Sequence, residues 1–183
     1  MEIRETKLPG VLEIIPKTFF DQRGCFFESY NEMVFHELGI ITHFVQDNES
    51  VSGKNVLRGL HLQHNPFGQA KLVKVSCGAV KDVVVDIRQG SPSFGQHEVF
   101  ELNSDEKRML FIPEGFAHGF IALTDNTIFA YKCSNFYNRE SEDCIVWNDP
   151  DLNIDWGISD PILAPKDACG KLFKTFHTSF RFS

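Results

Sequence analysis

Three segments carry side chains able to move a proton or to meet a forming anion. In Arg58-Gly59-Leu60-His61-Leu62-Gln63, strand alternation puts His61 and Gln63 on one face and Leu60 and Leu62 on the other. An imidazole there can take and return protons near neutrality, although a histidine on a strand is more often structural. Arg58 has the opposite parity to His61 and shares its side only if Gly59 allows a bulge or the strand begins after it. In Gln69-Ala70-Lys71-Leu72-Val73-Lys74, the two lysines have opposite parity, so a strand here points one of them inward. A buried lysine is costly unless paired or put to use. The plainer alternative has Lys74 in solvent and Lys71 paired with a carboxylate. Tyr131 shares a face with Phe129 and Cys133. A phenol on that apolar face either finds a backbone partner, as core tyrosines usually do, or serves as a general acid.

These groups need strands to hold them. Short runs with period-two or continuous apolar character occur at 56–63, 71–76, 80–87, 98–102, 109–112, 119–123 and 127–136. Cys77-Gly78 and Asp125-Asn126 fall where tight turns belong, and Ser91-Pro92-Ser93 breaks the next interval. In the run at 80–87, Asp82 and Asp86 share one face with Val80 and Val84. Such a pair of acids either lines a polar cavity or marks the wetter face of an antiparallel sheet, and neither is assigned a catalytic role. The one clear helix runs from Asn31 to Leu38, with Asn31 as N-cap and Gly39 as stop. Many short strands and little helix predict a mainly β protein, a jelly-roll barrel with a few short helices. No linker or repeat divides the chain, so 1–183 is read as a single domain.

Composition narrows the function classes. The chain has 183 residues, 42% hydrophobic and 23% charged, an ordinary globular balance with enough length for one full core. Its 18 phenylalanines point to an aromatic-rich β core. No stretch has the length of a membrane span and the start does not read as a signal peptide, so a cytoplasmic protein without membrane contact is expected. Five scattered cysteines with no Cys-x-x-Cys pair imply free thiols in a reducing compartment. A net charge of −7 with no basic run argues against nucleic acid. An anionic small molecule would need a local cluster of cations working against that field.

Pro113-x-Gly115-x-x-His118 before a strand resembles the second motif of the cupin superfamily, small jelly-roll barrels whose members often bind a metal at that histidine. The earlier segment reads His61-Leu62-Gln63-His64, and residues three apart on a strand point oppositely. A site from His61, His64 and His118 would have to form through loops, so no metal and no cofactor is expected.

Taken together, the motifs resemble the dTDP-4-dehydrorhamnose 3,5-epimerase family, from about Gly10 to Asp167. They are Asp21-x-Arg23-Gly24-x-Phe26-Phe27-Glu28, Gln46-Asp47-Asn48, Leu57-Arg58-Gly59-Leu60-His61, Asp82 through Arg88, Gly90-Ser91-Pro92, Gly115 through Phe120 and Tyr131-Lys132-Cys133. The resemblance implies a metal-free homodimeric jelly roll that acts on a dTDP-linked 4-keto-6-deoxy sugar. It implies His61 as base, Tyr131 as opposing acid, Asp167 as the carboxylate that orients His61, and Lys71 beside the C4 oxygen. Arg23, Glu28, Gln46, Asn48, Arg58, His118, Glu142 and Lys166 become substrate contacts, with Tyr137 stacked on the thymine. The chain departs from the family around Asp167, where Pro165 stands in place of the usual serine before Lys-Asp. The tail with Phe173, Phe176, Phe180 and Phe182 carries no recognised motif and is expected on the barrel or at a dimer contact. Other readings are a single-centre epimerase on a related sugar, a metal-dependent cupin and a non-catalytic sugar-binding jelly roll.

Overall fold

The structure, a computed structural model, describes residues 1–182. In chain order its strands are β1 (Glu2–Glu5), β2 (Leu12–Ile15), β3 (Thr18–Asp21), β4 (Gly24–Phe27), β5 (Gln46–Ser52), β6 (Val56–Gln63), β7 (Lys71–Cys77) and β8 (Ala79–Asp86). There follow β9 (His97–Asn103), β10 (Met109–Ile112), β11 (Phe116–Ala122), β12 (Thr127–Cys133), β13 (Glu142–Cys144) and β14 (Ile162–Leu163). Helix α1 (Glu32–Glu37) follows β4, and α2 (Pro165–Ala168) follows β14. Asn31 caps α1 by accepting from the Met33 and Val34 amides, as its position before the apolar run predicts.

One sheet has the order β1-β2-β10-β7-β12-β5 and the other β13-β6-β11-β8-β9, with β14 also on β6 and β3-β4 a separate hairpin. The two large sheets face each other as in a jelly roll. Between them lie Val73, Val75, Val80, Val84, Phe116, Phe120 and Phe129. The outer face of the first sheet is covered by Phe35 of α1 with Ile14, Leu72 and Met109. The outer face of the second carries Leu57, Leu60, Leu62, Val83 and Val85 under Trp156, Phe173, Phe176 and Phe180. The phenylalanine tail therefore packs on the barrel, and Phe182 stacks on the Arg88 guanidinium.

The expected strands are present, with ends shifted by a few residues. β11 begins at Phe116 rather than at Gly119, because 116–118 pair with β8 directly after Gly115 turns the chain at φ 86°. β1 to β5 were not read as strands from sequence. They are short or polar on the exposed side, and pairing rather than apolar alternation defines them.

The feature of the fold that matters most for the site lies in β6. His61 pairs with His118 of β11, yet Arg58 pairs with Phe120, so the register shifts between them. Gly59 is the extra residue, with φ 144°, a conformation that L side chains rarely adopt. A Cβ on Gly59 would lie 2.5 Å from Gly119 Cα, and one on Gly119 would lie 2.8 Å from Arg58 O. Two glycines back to back thus permit the bulge. It brings Arg58 to the same side as His61, while Leu57, Leu60 and Leu62 keep to the outer core.

Candidate active site

The open end of the barrel holds a cavity of about 330 Å³, large enough for part of a small ligand. β6 contributes Arg58, His61 and Gln63, and β11 contributes His118 and Phe120. The facing sheet contributes Lys71 from β7 and Phe129 and Tyr131 from β12. On β5, Gln46, Asn48 and Ser50 pair opposite Cys133, Tyr131 and Phe129, so alternation turns all three inward. Tyr137, Glu142, Lys166 and Asp167 close the rim.

His61 Nε2 lies 2.5 Å from Asp167 Oδ1, and the Asp167 side chain is only 2% exposed. With Nε2–H donated to the carboxylate, Nδ1 is left as the basic nitrogen. Pro165 occupies N1 of α2, where its fixed φ suits the first helical turn. The departure from the family's serine therefore does not stop Asp167 from reaching the imidazole. Across the cavity, burial raises the Tyr131 phenol above its ordinary range, so it keeps its proton at neutral pH. No hydrogen bond to its hydroxyl occurs among the described residues, so the backbone partner usual for a core tyrosine is missing here.

Lys71 is the lysine that points inward, and Lys74 turns to the outer face. Lys71 forms no ion pair among the described residues, and burial pulls its ammonium below the usual range. Gln63 braces the rim by donating to Phe67 O and Phe136 O and accepting from the Asn138 amide. Lys166 Nζ donates to Glu142 Oε1 at 2.7 Å, and Tyr137 donates its hydroxyl to Glu142 Oε2 at 3.1 Å. Burial, the largest single influence, would raise Glu142, but the hydrogen bond and charge of Lys166 and the hydrogen bond from Tyr137 together hold the carboxyl below its usual range. Burial would likewise lower Lys166, and the hydrogen bond and charge of Glu142 with the charge of Asp167 together reverse that.

Two expected contacts lie elsewhere. Arg23 is exposed on the β3-β4 hairpin, paired with Asp21 at 2.6 Å, and Glu28 accepts from Asn31 just beyond β4. The three histidines do not converge. His64 turns out to Asp143 at 3.0 Å and stacks on Phe176, while His118 is held by Asp82 at 2.8 Å. Among the described residues, one grouping of three potential ligand atoms joins His61, Cys144 and Asp167 within 4.8 Å. Two of these atoms are committed to each other. Burial, followed by the charge of Asp167, pushes the Cys144 thiol up to about 12, so it stays protonated. Ser50 and Phe129 were not singled out as site residues from sequence. Alternation from Gln46 and Asn48 marks Ser50, and the parity of Tyr131 marks Phe129. Asp86, left open between cavity and wet face, is neither: Arg88, Ser91 and Ser93 hold it fully buried.

A sequence profile of the dTDP-4-dehydrorhamnose 3,5-epimerase family matches residues 5–175. The enzyme of that name from Salmonella typhimurium is 51% identical over 174 residues, covering 94% of this chain and 95% of the relative. The one from Shigella flexneri is 49% identical over 174 residues, with 94% and 96% covered. The solved dTDP-6-deoxy-D-glucose-3,5-epimerase of Legionella pneumophila, in complex with dTDP-4-keto-L-rhamnose, superposes with a TM-score of 0.95 at 46% identity. That alignment covers 100% of this chain and 98% of the other.

The Glu142–Lys166 pair ties α2, and with it Asp167, to β13. Because the folded-state pKa of Glu142 is depressed, its stabilisation is present above the unfolded carboxylate pKa of about 4.3. It is lost as pH falls through the lower folded value. Lys166→Met should cost at most about 1 kcal/mol at pH 7 by urea unfolding, since the lysine is largely exposed. The gap from wild type should close below about pH 4. A gap of equal size at pH 3 would contradict this assignment.

Proposed function

The chain belongs to the dTDP-4-dehydrorhamnose 3,5-epimerase family, and we propose that it inverts C3 and C5 of dTDP-4-dehydro-6-deoxy-D-glucose by passing protons between His61 and Tyr131. The observation that carries this reading is their placement on opposite walls. The imidazole stands on the second sheet with its carboxylate behind it, and the phenol stands on the first.

The ketone at C4 makes the protons on C3 and C5 acidic. His61 Nδ1 takes such a proton, and the electron pair of the C–H bond moves onto the C4 oxygen as an enolate. Asp167 steadies the imidazolium formed, the orienting role of carboxylates beside catalytic histidines. Lys71 meets the negative charge on O4, which develops only as the proton leaves, so its stabilisation acts on the transition state. Tyr131 then gives its hydroxyl proton to the opposite face of the carbon. Base and acid are reset by exchange with water, and the carbon is inverted. Arg58 and Lys166 stand at the mouth for the diphosphate, with Tyr137 at the rim for the thymine.

The same reading includes a C2 homodimer. Phe19, Phe20 and Phe26 of the β3-β4 hairpin are 54%, 78% and 70% exposed, and β5 is an unpaired sheet edge beside the cavity. Apolar rings and an open edge of this kind call for a cover. Arg23 and Glu28 lie on and just after this hairpin, so a partner copy that covers the hairpin and edge would carry both towards the cavity. Five free cysteines support a reducing, cytoplasmic setting, and no helix among the described residues is long and apolar enough to cross a membrane. Light scattering at micromolar concentration should give twice the chain mass, and a monomer alone would sink the dimer.

Tyr131→Phe separates the two half-reactions. Enolate formation persists because His61 and Lys71 remain, but reprotonation can then come only from the His61 side. Deuterium from heavy water should enter with retained configuration, while inverted product falls by roughly 10²- to 10⁴-fold. A folded variant that inverts both centres at wild-type rates would exclude Tyr131 as the acid.

A further inference from the structure

Behind the cavity wall, Asp82 of β8 is completely buried. Its Oδ2 accepts from His118 Nε2 at 2.8 Å, while its Oδ1, equally buried, has no hydrogen-bond partner among the described residues. A carboxylate in that setting is costly unless a cation compensates it. It shares its strand face with Val80 and Val84, between the sheets, where the β7 face of Lys71, Val73 and Val75 looks back at it. Lys71, half-buried against the cavity, has a related difficulty, a cation with no ion pair among the described residues.

We propose that Asp82 is a positioning residue for the epimerisation, acting from behind the wall to keep Lys71 cationic and to fix the ring of His118. The inference rests on the proposed role of Lys71 at the C4 oxygen. The groups that face Lys71 are Cys133 of β12, Asp82 of β8, Glu142 of β13 and Lys166 of α2; His61, His118, Arg58 and Tyr131 line the same cavity. Burial raises the Cys133 thiol, which is therefore neutral at physiological pH. That leaves Asp82 as the leading anion acting on Lys71, ahead of Glu142, which Lys166 already occupies. His118, the other partner of Asp82, lines the cavity, so one buried carboxylate reaches two cavity groups without touching the ligand.

The test is the pH profile of deuterium wash-in for Asp82→Asn, which keeps the shape and removes the charge. Without Asp82, Lys71 gives up its proton at lower pH. The basic limb of the profile should move down by about one pH unit or more, with the loss large at pH 9 and small at pH 6. In a Lys71→Met background the same substitution should cost far less than in wild type, because its target is gone. A loss equal at every pH and equal in both backgrounds would overturn the proposal and leave Asp82 a structural residue. If Lys71→Met alone left wash-in unchanged, the role of Lys71 itself would fail, and this inference with it. Should Asp82→Asn not fold, Lys71→Met still reports on the coupling. In that variant the basic limb of the wash-in profile should vanish, and a limb left at its wild-type position would also overturn the proposal.

Discussion

The hydrogen bond between His61 Nε2 and Asp167 Oδ1 spans 106 residues of sequence, and the chemistry of the cavity hangs from it. It joins the middle of β6 to the short helix α2 near the end of the chain. Whatever places either end therefore serves the site. β14 pairs with the start of β6 and leads directly into α2, and Lys166 anchors the same helix to Glu142 on β13. At the other end, the bulge at Gly59 sets which way His61 and Arg58 face. Close approach of two glycines is thus a condition for a base and a cation to share one wall.

The electrostatics follow from the need to remove a carbon-bound proton inside a protein. A chain of net charge −7 gathers Arg58, Lys71 and Lys166 around one cavity. Each is held differently. Arg58 donates to Ser52 Oγ, Lys166 to Glu142, and Lys71 to no carboxylate among the described residues. The unpaired lysine is the one at which an enolate would form, because a cation already neutralised by a close carboxylate would have less to offer the transition state. The tyrosine follows the same logic, kept neutral by burial and free of a backbone partner among the described residues.

Much of this was legible in the sequence. Alternation over 60–63 separated His61 and Gln63 from Leu60 and Leu62, and the same rule required one of Lys71 and Lys74 to face inward. The condition placed on Gly59, that Arg58 could join His61 only through a bulge, is the geometry observed. What period-two reading cannot supply is which strands become neighbours. Asp82 was visible as an acid among valines, but its partner His118 is 36 residues away on another strand. The early strands were missed because they are short and show no alternating buried face: Phe20 and Phe26 of the hairpin are exposed, and Ile14 is the one buried residue of β2. Arg23 and Glu28 stand apart from the cavity, on the β3-β4 hairpin and just after it.

The central claim is that a single imidazole removes the proton at both carbons. Wild-type protein and His61→Ala, each incubated with dTDP-4-dehydro-6-deoxy-D-glucose in heavy water, decide it by NMR counting of deuterons at C3 and C5. The account predicts deuterium at both positions with wild type. With His61→Ala it predicts none at either, while dTDP still binds, because the phosphate and thymine contacts lie on other residues. Continued uptake at C3 or at C5 in a folded His61→Ala protein would show that another group is the base there.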